Sequence, residues 1–237
     1  LIGDIAATLD NLLPAVRGYK IPKGTKEYLD GLHEVAEQHE FDTENTEEGR
    51  MHPLDLVSTF QEIVKDDETV TVDVGSLYIW MARHFKSYEP RHLLFSNGMQ
   101  TLGVALPWAI TAALLRPGKK VYSHSGDGGF LFTGQELETA VRLNLPIVQI
   151  IWNDGHYDMV KFQEEMKYGR SAAVDFGYVD YVKYAEAMGA TGYRAHSKEE
   201  LAEILKSIPN TTGPVVIDVP LDYSDKLAEK LLPEEFY

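Results

Sequence analysis

From Met51 onward, segments with the hydrophobic spacing of a helix alternate with short segments predicted to be strands. Val57, Phe60 and Val64 lie three and four residues apart, which is the spacing of one face of a helix. Between such segments we predict short strands at residues 69–74, 93–95, 120–125, 147–152 and 215–219. Residues 147–152 are apolar except for Gln149, which is typical of a central parallel strand covered on both faces. Strands alternating with helices predict right-handed βαβ units on one mainly parallel sheet. The expected fold is therefore a three-layer α/β/α domain.

Two segments carry the capping-box pattern, in which a Ser or Thr begins a helix and a Glu follows three residues later. The pattern occurs at residues 133–136 and 197–200. We therefore predict helices that begin at Thr133 and Ser197. A further helix is predicted over residues 103–115, which are apolar on nearly every face and so indicate a buried element.

The residues before Met51 have a different character. Between Glu27 and Arg50 there are nine acidic residues and one basic residue, with few large apolar ones, so this stretch cannot supply much core. We interpret residues 14–50 as a solvated acidic linker with a short helix, and the apolar residues 1–13 as the tail of a preceding domain. Residues 51–237 would then form the main domain.

Composition and charge narrow the class of protein. The chain has 237 residues, of which 44% are hydrophobic and 25% charged, as in globular proteins. Its formal charge of −15 has the wrong sign for binding nucleic acid or anionic lipid, and it has no Cys. Without a signal-peptide pattern or an apolar run of about eighteen residues, a cytoplasmic protein with no membrane partner is expected. Because the chain begins at Leu1, we expect it to be part of a longer protein.

Polar, glycine-rich turns follow three of the predicted strands, at residues 75–76, 126–129 and 153–155. Ligands of parallel sheets bind beyond the carboxyl ends of the strands. The 24 residues between Gly128 and Asn153 suffice for a turn, a helix and a strand, so Asp127 and Asp154 are expected at neighbouring strand ends. Two carboxylates without a soft ligand predict an oxygen site for a hard cation, best filled by Mg²⁺.

The glycines beside Asp127 indicate the second part of this ligand. Without side chains, Gly128 and Gly129 would let backbone N–H groups approach phosphate oxygens. The helix predicted from Thr133 would add the positive end of its dipole. The sequence therefore predicts a diphosphate held by Mg²⁺.

These motifs resemble those of a known enzyme superfamily. The Gly126–Gly128 turn, the 24-residue gap and the Asn153–Asp154 pair are similar to the thiamine diphosphate motif, which usually ends in two asparagines. Within that superfamily the chain resembles the C-terminal, diphosphate-binding domain of acetolactate synthases of the catabolic, FAD-independent kind. The resemblance is carried by residues 73–81, 96–108, 125–132 and 151–160.

The resemblance implies a role for each matching position. Asp127, Asp154 and the backbone carbonyl of His156 would bind Mg²⁺. Leu102 would hold the cofactor in its bent shape, and the backbone at Gln100, where relatives often have Gly, would accept a hydrogen bond from the aminopyrimidine. The full set expected to contact the cofactor is Gly75, Ser76, Leu77, Gln100, Leu102, Gly126, Asp127, Gly128, Gly129, Asn153, Asp154, His156 and Tyr157.

The resemblance also implies a substrate. Val160 and Gln163 match substrate-pocket positions of the family. The FAD-containing biosynthetic relatives carry a Trp at the position of Gln163, which favours 2-ketobutyrate as the second substrate. The Gln therefore implies that pyruvate is both donor and acceptor. The resemblance to the FAD-independent kind implies that FAD is not a cofactor. The implied reaction condenses two pyruvates into 2-acetolactate with loss of CO₂.

No catalytic side chain is expected within this chain. In the family, the glutamate that protonates the aminopyrimidine belongs to an N-terminal domain of the neighbouring subunit, and no residue here matches it. The resemblance thus implies a homodimer or homotetramer for the full-length enzyme. We expect the chain alone to bind Mg²⁺ and thiamine diphosphate weakly at best and to be inactive.

Three other functions are considered. Another thiamine diphosphate enzyme, such as a pyruvate oxidase or a 2-ketoacid decarboxylase, is the nearest alternative. A non-catalytic cofactor-binding or interaction module is a second, although the presence of both Asp127 and Asp154 argues against it. A nucleotide-binding Rossmann domain is disfavoured because no Gly-x-Gly-x-x-Gly follows the first strand.

Overall fold

The computed structural model of the chain describes residues 3–37, 43, 46–208 and 213–224. It contains two compact units, residues 1–41 and 42–237. Parts of the predicted linker, residues 38–42 and 44–45, and the end of the predicted main domain, residues 225–237, lie outside the described residues. The division of the chain at residues 13 and 50 stays a prediction.

The first unit holds two helices, α1 (Ile5–Val16) and α2 (Thr25–Glu37). Asp4 begins α1, because its carboxylate accepts a hydrogen bond from the Ala7 N–H at 2.9 Å and so satisfies a free backbone donor. The apolar Leu9, Leu12 and Leu13 of α1 are exposed. Helix α2 lies within the segment predicted to be a linker.

The second unit alternates helices and strands. Its helices are α3 (Pro53–Ile63), α4 (Ser76–His84), α5 (Ala105–Leu115), α6 (Asp127–Thr133), α7 (Leu137–Arg142), α8 (Asp158–Tyr168), α9 (Tyr181–Ala187) and α10 (Lys198–Ser207). Its strands are β1 (Thr69–Val72), β2 (Leu93–Phe95), β3 (Val121–Gly126), β4 (Ile147–Asn153), β5 (Thr191–Arg194) and β6 (Val215–Pro220). Among the described helices of the chain, none is long and apolar enough to cross a bilayer.

The six strands form one sheet in the order β2-β1-β3-β4-β6-β5, and every pairing is parallel. Val121 of β3 faces a core shared with α5, α6, α7 and α9. The next residue, Tyr122, points to the opposite face because side chains alternate along a strand, and there it contacts Phe60 of α3. Helices α4 and α10 pack beside α3. The predicted three-layer α/β/α fold is confirmed.

One of the two predicted capping boxes is correct. The Ser197 hydroxyl accepts a hydrogen bond from the Glu200 N–H at 3.2 Å, and α10 begins there. The prediction for Thr133 is wrong, because the helix after β3 begins at Asp127 and continues through a 3₁₀ turn, Gly134–Glu136, into α7. The Thr133 hydroxyl donates to the Gly103 carbonyl at 2.8 Å, so a tertiary hydrogen bond replaces the cap.

Strand β5 was not predicted from the sequence. Its four residues, Thr-Gly-Tyr-Arg, lie at the edge of the sheet, and none is fully buried. An edge strand of mixed polarity has neither the apolar run nor the strict alternation by which strands are recognised. Its neighbour β6, which is almost fully buried, was predicted.

The core shared by α5, α6, α7 and α9 predicts a difference between two nearby leucines. Leu137 is fully buried in it, whereas Leu143, six positions later, is 43% exposed. Leu137→Ala should lower the free energy of unfolding by about 2–5 kcal/mol, because it removes buried apolar contacts and leaves a cavity. Leu143→Ala is the control and should cost less than about 1 kcal/mol. Equal losses in urea denaturation would contradict this placement.

Candidate metal and diphosphate site

The predicted site residues gather where the sheet connectivity reverses. The chain leaves β1 into α4, on the face of the sheet that carries α3, and leaves β3 into α6, on the opposite face. Strands β1 and β3 are neighbours, so a crevice opens between their carboxyl ends, the usual ligand position in parallel sheets. The buried Leu77 side chain lies close to both Gly75 and Gly126, at the ends of these two strands.

Asp127 and Asp154 lie at neighbouring strand ends, as predicted. Asp127 follows β3 directly and Asp154 follows β4, and the register pairs Gly126 with Trp152. Asp127 is 2% exposed and Asp154 is 9% exposed. The Asp127 carboxylate accepts hydrogen bonds from the N–H groups of Gly128 and Gly155, each at 2.7 Å. One carboxylate therefore holds the two turns together.

When both are ionised, these two carboxylates carry like charges that repel each other. Burial raises the pKa of both, and the negative charge of Asp127 raises the pKa of Asp154 further. A divalent cation between them would stabilise both ionised forms, and carboxylate oxygens are the ligands that Mg²⁺ prefers. Over the described parts of the chain, no cluster of three or more His, Cys, Asp or Glu side chains suits a metal. The remaining ligands would thus be backbone, cofactor or water oxygens.

The side chain of His156 is engaged within its own loop. Its Nδ1 atom lies 2.8 Å from the carboxylate of Asp175, and the Lys161 ammonium lies 3.3 Å from its Nε2 atom. The loop is also tied by backbone hydrogen bonds, from Tyr157 N–H to Val174 and from Phe176 N–H to Gly155. A ring held in this way is consistent with the prediction that the backbone carbonyl is the metal ligand. That role stays a prediction.

Close contacts explain why two positions in the first turn of α6 are glycine. A Cβ atom at Gly128 would lie 2.6 Å from the ring of Tyr157, and one at Gly129 would lie 2.7 Å from the Asp73 carboxylate. Both distances are shorter than real Cβ contacts allow. Glycine lets side chains of two neighbouring loops cover this turn, in addition to the predicted approach of phosphate to its N–H groups.

Asp73 is a site residue that the sequence analysis did not select. It is fully buried at the end of β1, and its carboxylate accepts hydrogen bonds from Gly103 N–H at 3.0 Å and Val74 N–H at 2.8 Å. Burial raises its pKa to about 6. The bond to Gly103 fixes the end of the loop after β2. A carboxylate directly after a run of four β-branched residues was the available signal in the sequence.

The loop after β2 carries the predicted cofactor contacts Gln100 and Leu102. Gln100 has a φ of 51°, in the left-handed region that favours glycine. This conformation is consistent with relatives that have Gly there. Leu102 is half-buried, two residues further along. The loop follows the edge strand β2, next to β1.

The predicted substrate-pocket residues lie on α8. Val160 and Gln163 are three positions apart on one side of this helix, and both are exposed. The start of α8 is joined to the turn after β1, because the Ser76 hydroxyl donates a hydrogen bond to the Asp158 carboxylate. The structure thus brings Ser76, a predicted diphosphate contact, next to the helix that carries both pocket residues.

The fold and the acidic pair at neighbouring strand ends are those of a parallel α/β domain, a class of fold in which ligands bind beyond the carboxyl ends of the strands. A family-wide sequence profile, described as "Thiamine pyrophosphate enzyme, C-terminal TPP binding domain", matches residues 73–219. The chain therefore belongs to the family of thiamine pyrophosphate enzymes and contains their C-terminal cofactor-binding domain. This match confirms the resemblance found from the motifs.

Two curated relatives are similar over nearly the whole chain. The acetolactate synthase of Bacillus subtilis (strain 168) is 52% identical over 238 residues, which cover 100% of this chain and 42% of that protein. The catabolic acetolactate synthase of Raoultella terrigena is 46% identical over 228 residues, covering 95% of this chain and 40% of that protein. The chain thus spans less than half the length of these relatives.

The contact between Gly129 and Asp73 predicts a strong effect of a single methyl group. In Gly129→Ala the new Cβ would displace the Asp73 carboxylate, so the free energy of unfolding should fall by about 1–3 kcal/mol. Gly98→Ala is the control in the loop after β2, because its Cβ would meet nothing within 4 Å. Denaturant titration of both variants tests this, and a loss no larger for Gly129→Ala than for the control would contradict the contact.

The buried pair also predicts a pH dependence. Because the folded-state pKa of Asp154 is raised above the unfolded value of about 4, metal-free stability should fall as pH rises from that value through the raised pKa. Asp154→Asn should reduce this fall. Melting temperatures in a chelator, at about pH 5 and about pH 8.5, measure it.

Asp66→Asn, at an exposed aspartate, serves as the control and should keep the pH dependence of the unchanged chain. If Asp154→Asn left the slope unaltered, the raised pKa inferred for Asp154 would be wrong.

Proposed function

We propose that this chain is the cofactor-binding part of an acetolactate synthase, which condenses two pyruvates into 2-acetolactate and releases CO₂. The observation that carries the proposal is the buried Asp127–Asp154 pair at the neighbouring ends of β3 and β4, within the matched family segment. The similarity to two acetolactate synthases along almost all of the chain supports the choice of reaction.

Mg²⁺ would be held by Asp127, Asp154 and the carbonyl of His156. The N–H groups of the turns at residues 75–77 and 128–129 would contact the diphosphate. Thiamine diphosphate, when bound, would supply the carbon that adds to the keto group of pyruvate and carries the acetyl unit after CO₂ is lost. The protein would contribute binding, orientation and electrostatics.

The residues of this chain would act by holding parts of the site in place. Asp73 fixes the loop after β2 through Gly103, and so places Gln100 and Leu102 beside the cofactor position. Asp127 joins the turns after β3 and β4. Since these bonds are intramolecular, the turns are ordered before the cofactor arrives, which lowers the entropic cost of binding.

The finer parts of the proposal rest on the resemblance. Val160 and Gln163 would line the pocket for the second pyruvate, with Gln163 favouring pyruvate over 2-ketobutyrate. FAD would not be required. The activating glutamate would come from a pyrimidine-binding domain of a neighbouring subunit, in a cytoplasmic homodimer or homotetramer. The chain alone would then be inactive.

The proposal predicts that activity appears when this chain is joined to the missing part of such an enzyme. A chimera in which it replaces the aligned segment of the Bacillus subtilis acetolactate synthase should convert pyruvate into acetolactate, in a manner dependent on Mg²⁺ and thiamine diphosphate. The intact Bacillus subtilis enzyme is the positive control, and the same chimera with Asp127→Ala is the negative one.

Product analysis separates the alternatives. Acetaldehyde as the main product would indicate a decarboxylase, and acetyl phosphate would indicate an oxidase. A folded chimera that binds the cofactor without converting pyruvate would favour a non-catalytic module. Turnover by the chain alone at the rate of the chimera would contradict the need for a second domain.

A further inference from the structure

A third buried carboxylate lies beside the proposed metal site and has no role in the function proposed above. Asp218 lies within β6, with 1% of its side chain exposed. Its Oδ1 atom accepts a hydrogen bond from the Asn153 side-chain amide at 2.9 Å, and its Oδ2 atom accepts one from Arg194 Nε at 2.9 Å. Asp218 thus connects the residue before Asp154 to the edge strand β5.

Asp218 is close enough to the acidic pair to affect it electrostatically. Burial is the main cause of the raised pKa of Asp127, and the charge of Asp218 adds to it. A buried carboxylate next to two others is costly unless a cation balances it. Arg194 supplies that cation, and its Nη2 atom also donates to Asp180 at 3.1 Å. The network therefore carries its own counter-charge.

The turn formed by residues 153–155 is held by three hydrogen bonds, two of them made by Asn153. Its side-chain amide is bonded to Asp218, and its carbonyl accepts a hydrogen bond from Leu221 N–H at 2.9 Å. Two residues later, Gly155 N–H donates to Asp127. The turn that carries Asp154 is thereby fixed to β6 on one side and to α6 on the other.

We propose that Asp218 and Arg194 are positioning residues that orient Asn153 and thereby set the Mg²⁺ affinity of the turn carrying Asp154. The inference rests on the proposed function, since it assumes that Asp127 and Asp154 bind Mg²⁺. A buried ion pair is weak support for stability by itself, because apolar residues of similar size often stabilise as well or better. The position of the pair beside the ligand-bearing turn accounts for its presence.

The test is a double-mutant cycle on Mg²⁺ affinity. Asn153→Ala and Asp218→Ala should each weaken Mg²⁺ binding about 10- to 100-fold, the usual effect of removing an outer partner of a metal site. The Mg²⁺ affinity of the double variant should be no lower than that of the single variant with the lower affinity, because both changes break the same hydrogen bond. Calorimetric titration with Mg²⁺ in the presence of thiamine diphosphate measures this, with each variant made in the chimera described above, because the chain alone is expected to bind weakly at best.

An exchanged variant separates positioning from general stability. Asn153→Asp combined with Asp218→Asn keeps the net charge, the hydrogen bond in the reverse direction and an acceptor for Arg194. It should restore most of the Mg²⁺ affinity lost in the single variants. Lys183→Ala is the matched control, because Lys183 pairs with Asp180 at 3.2 Å without contributing to the Asn153–Asp218 bond.

The outcomes are distinguishable. If the unchanged chimera showed no Mg²⁺-dependent cofactor binding, the proposed function itself would fail, and this inference with it. If the unchanged chimera bound Mg²⁺ but both single variants bound it equally well, the inference alone would be wrong. The inference would also be wrong if the two single losses of Mg²⁺ affinity multiplied in the double variant. It would be wrong as well if the exchanged variant recovered its melting temperature without recovering Mg²⁺ affinity.

Discussion

The structure depends on one electrostatic constraint, the placement of two buried carboxylates at the ends of adjacent parallel strands. Burial disfavours the ionised form of both Asp127 and Asp154, and the charge of Asp127 disfavours ionisation of Asp154 further. Neighbouring groups reduce the free-energy cost of burying these carboxylates. Backbone N–H groups of Gly128 and Gly155 donate to Asp127, and Arg194 balances the third carboxylate nearby. A divalent cation between these strand ends would complete this arrangement.

The loops around the acidic pair are ordered by contacts within the protein. Asp73 holds the loop after β2, Ser76 is bonded to the start of α8, and the ring of Tyr157 covers Gly128. Each contact joins segments that are distant in sequence. Small residues are required where they meet, and the Gly128–Gly129 pair meets this requirement. The same glycines that suit a phosphate ligand therefore also allow the loops to pack together.

The relation to longer enzymes gives these features their context. The chain spans less than half the length of two acetolactate synthases to which it is similar, and the matched family segment is a cofactor-binding domain. The residues present supply carboxylates, backbone donors and a supporting hydrogen-bond network. In the proposed enzyme, a second domain would supply the proton-transfer group. The residues of this chain would then bind the metal and the diphosphate, and the second domain would carry out the proton transfer.

The sequence by itself determined the parallel α/β architecture and the neighbouring positions of Asp127 and Asp154, because apolar runs, helical periodicity and a 24-residue gap are local properties. The tertiary structure decided where the helix after β3 begins, since the Thr133 hydroxyl bonds to Gly103 instead of capping a helix. It also decided the roles of Asp73 and Asp218. Each is a single acidic residue whose partners lie at least 24 positions away, apart from the Asp73 bond to its neighbour Val74. Such pairings arise from the order of strands in the sheet, and sequence periodicity does not report them.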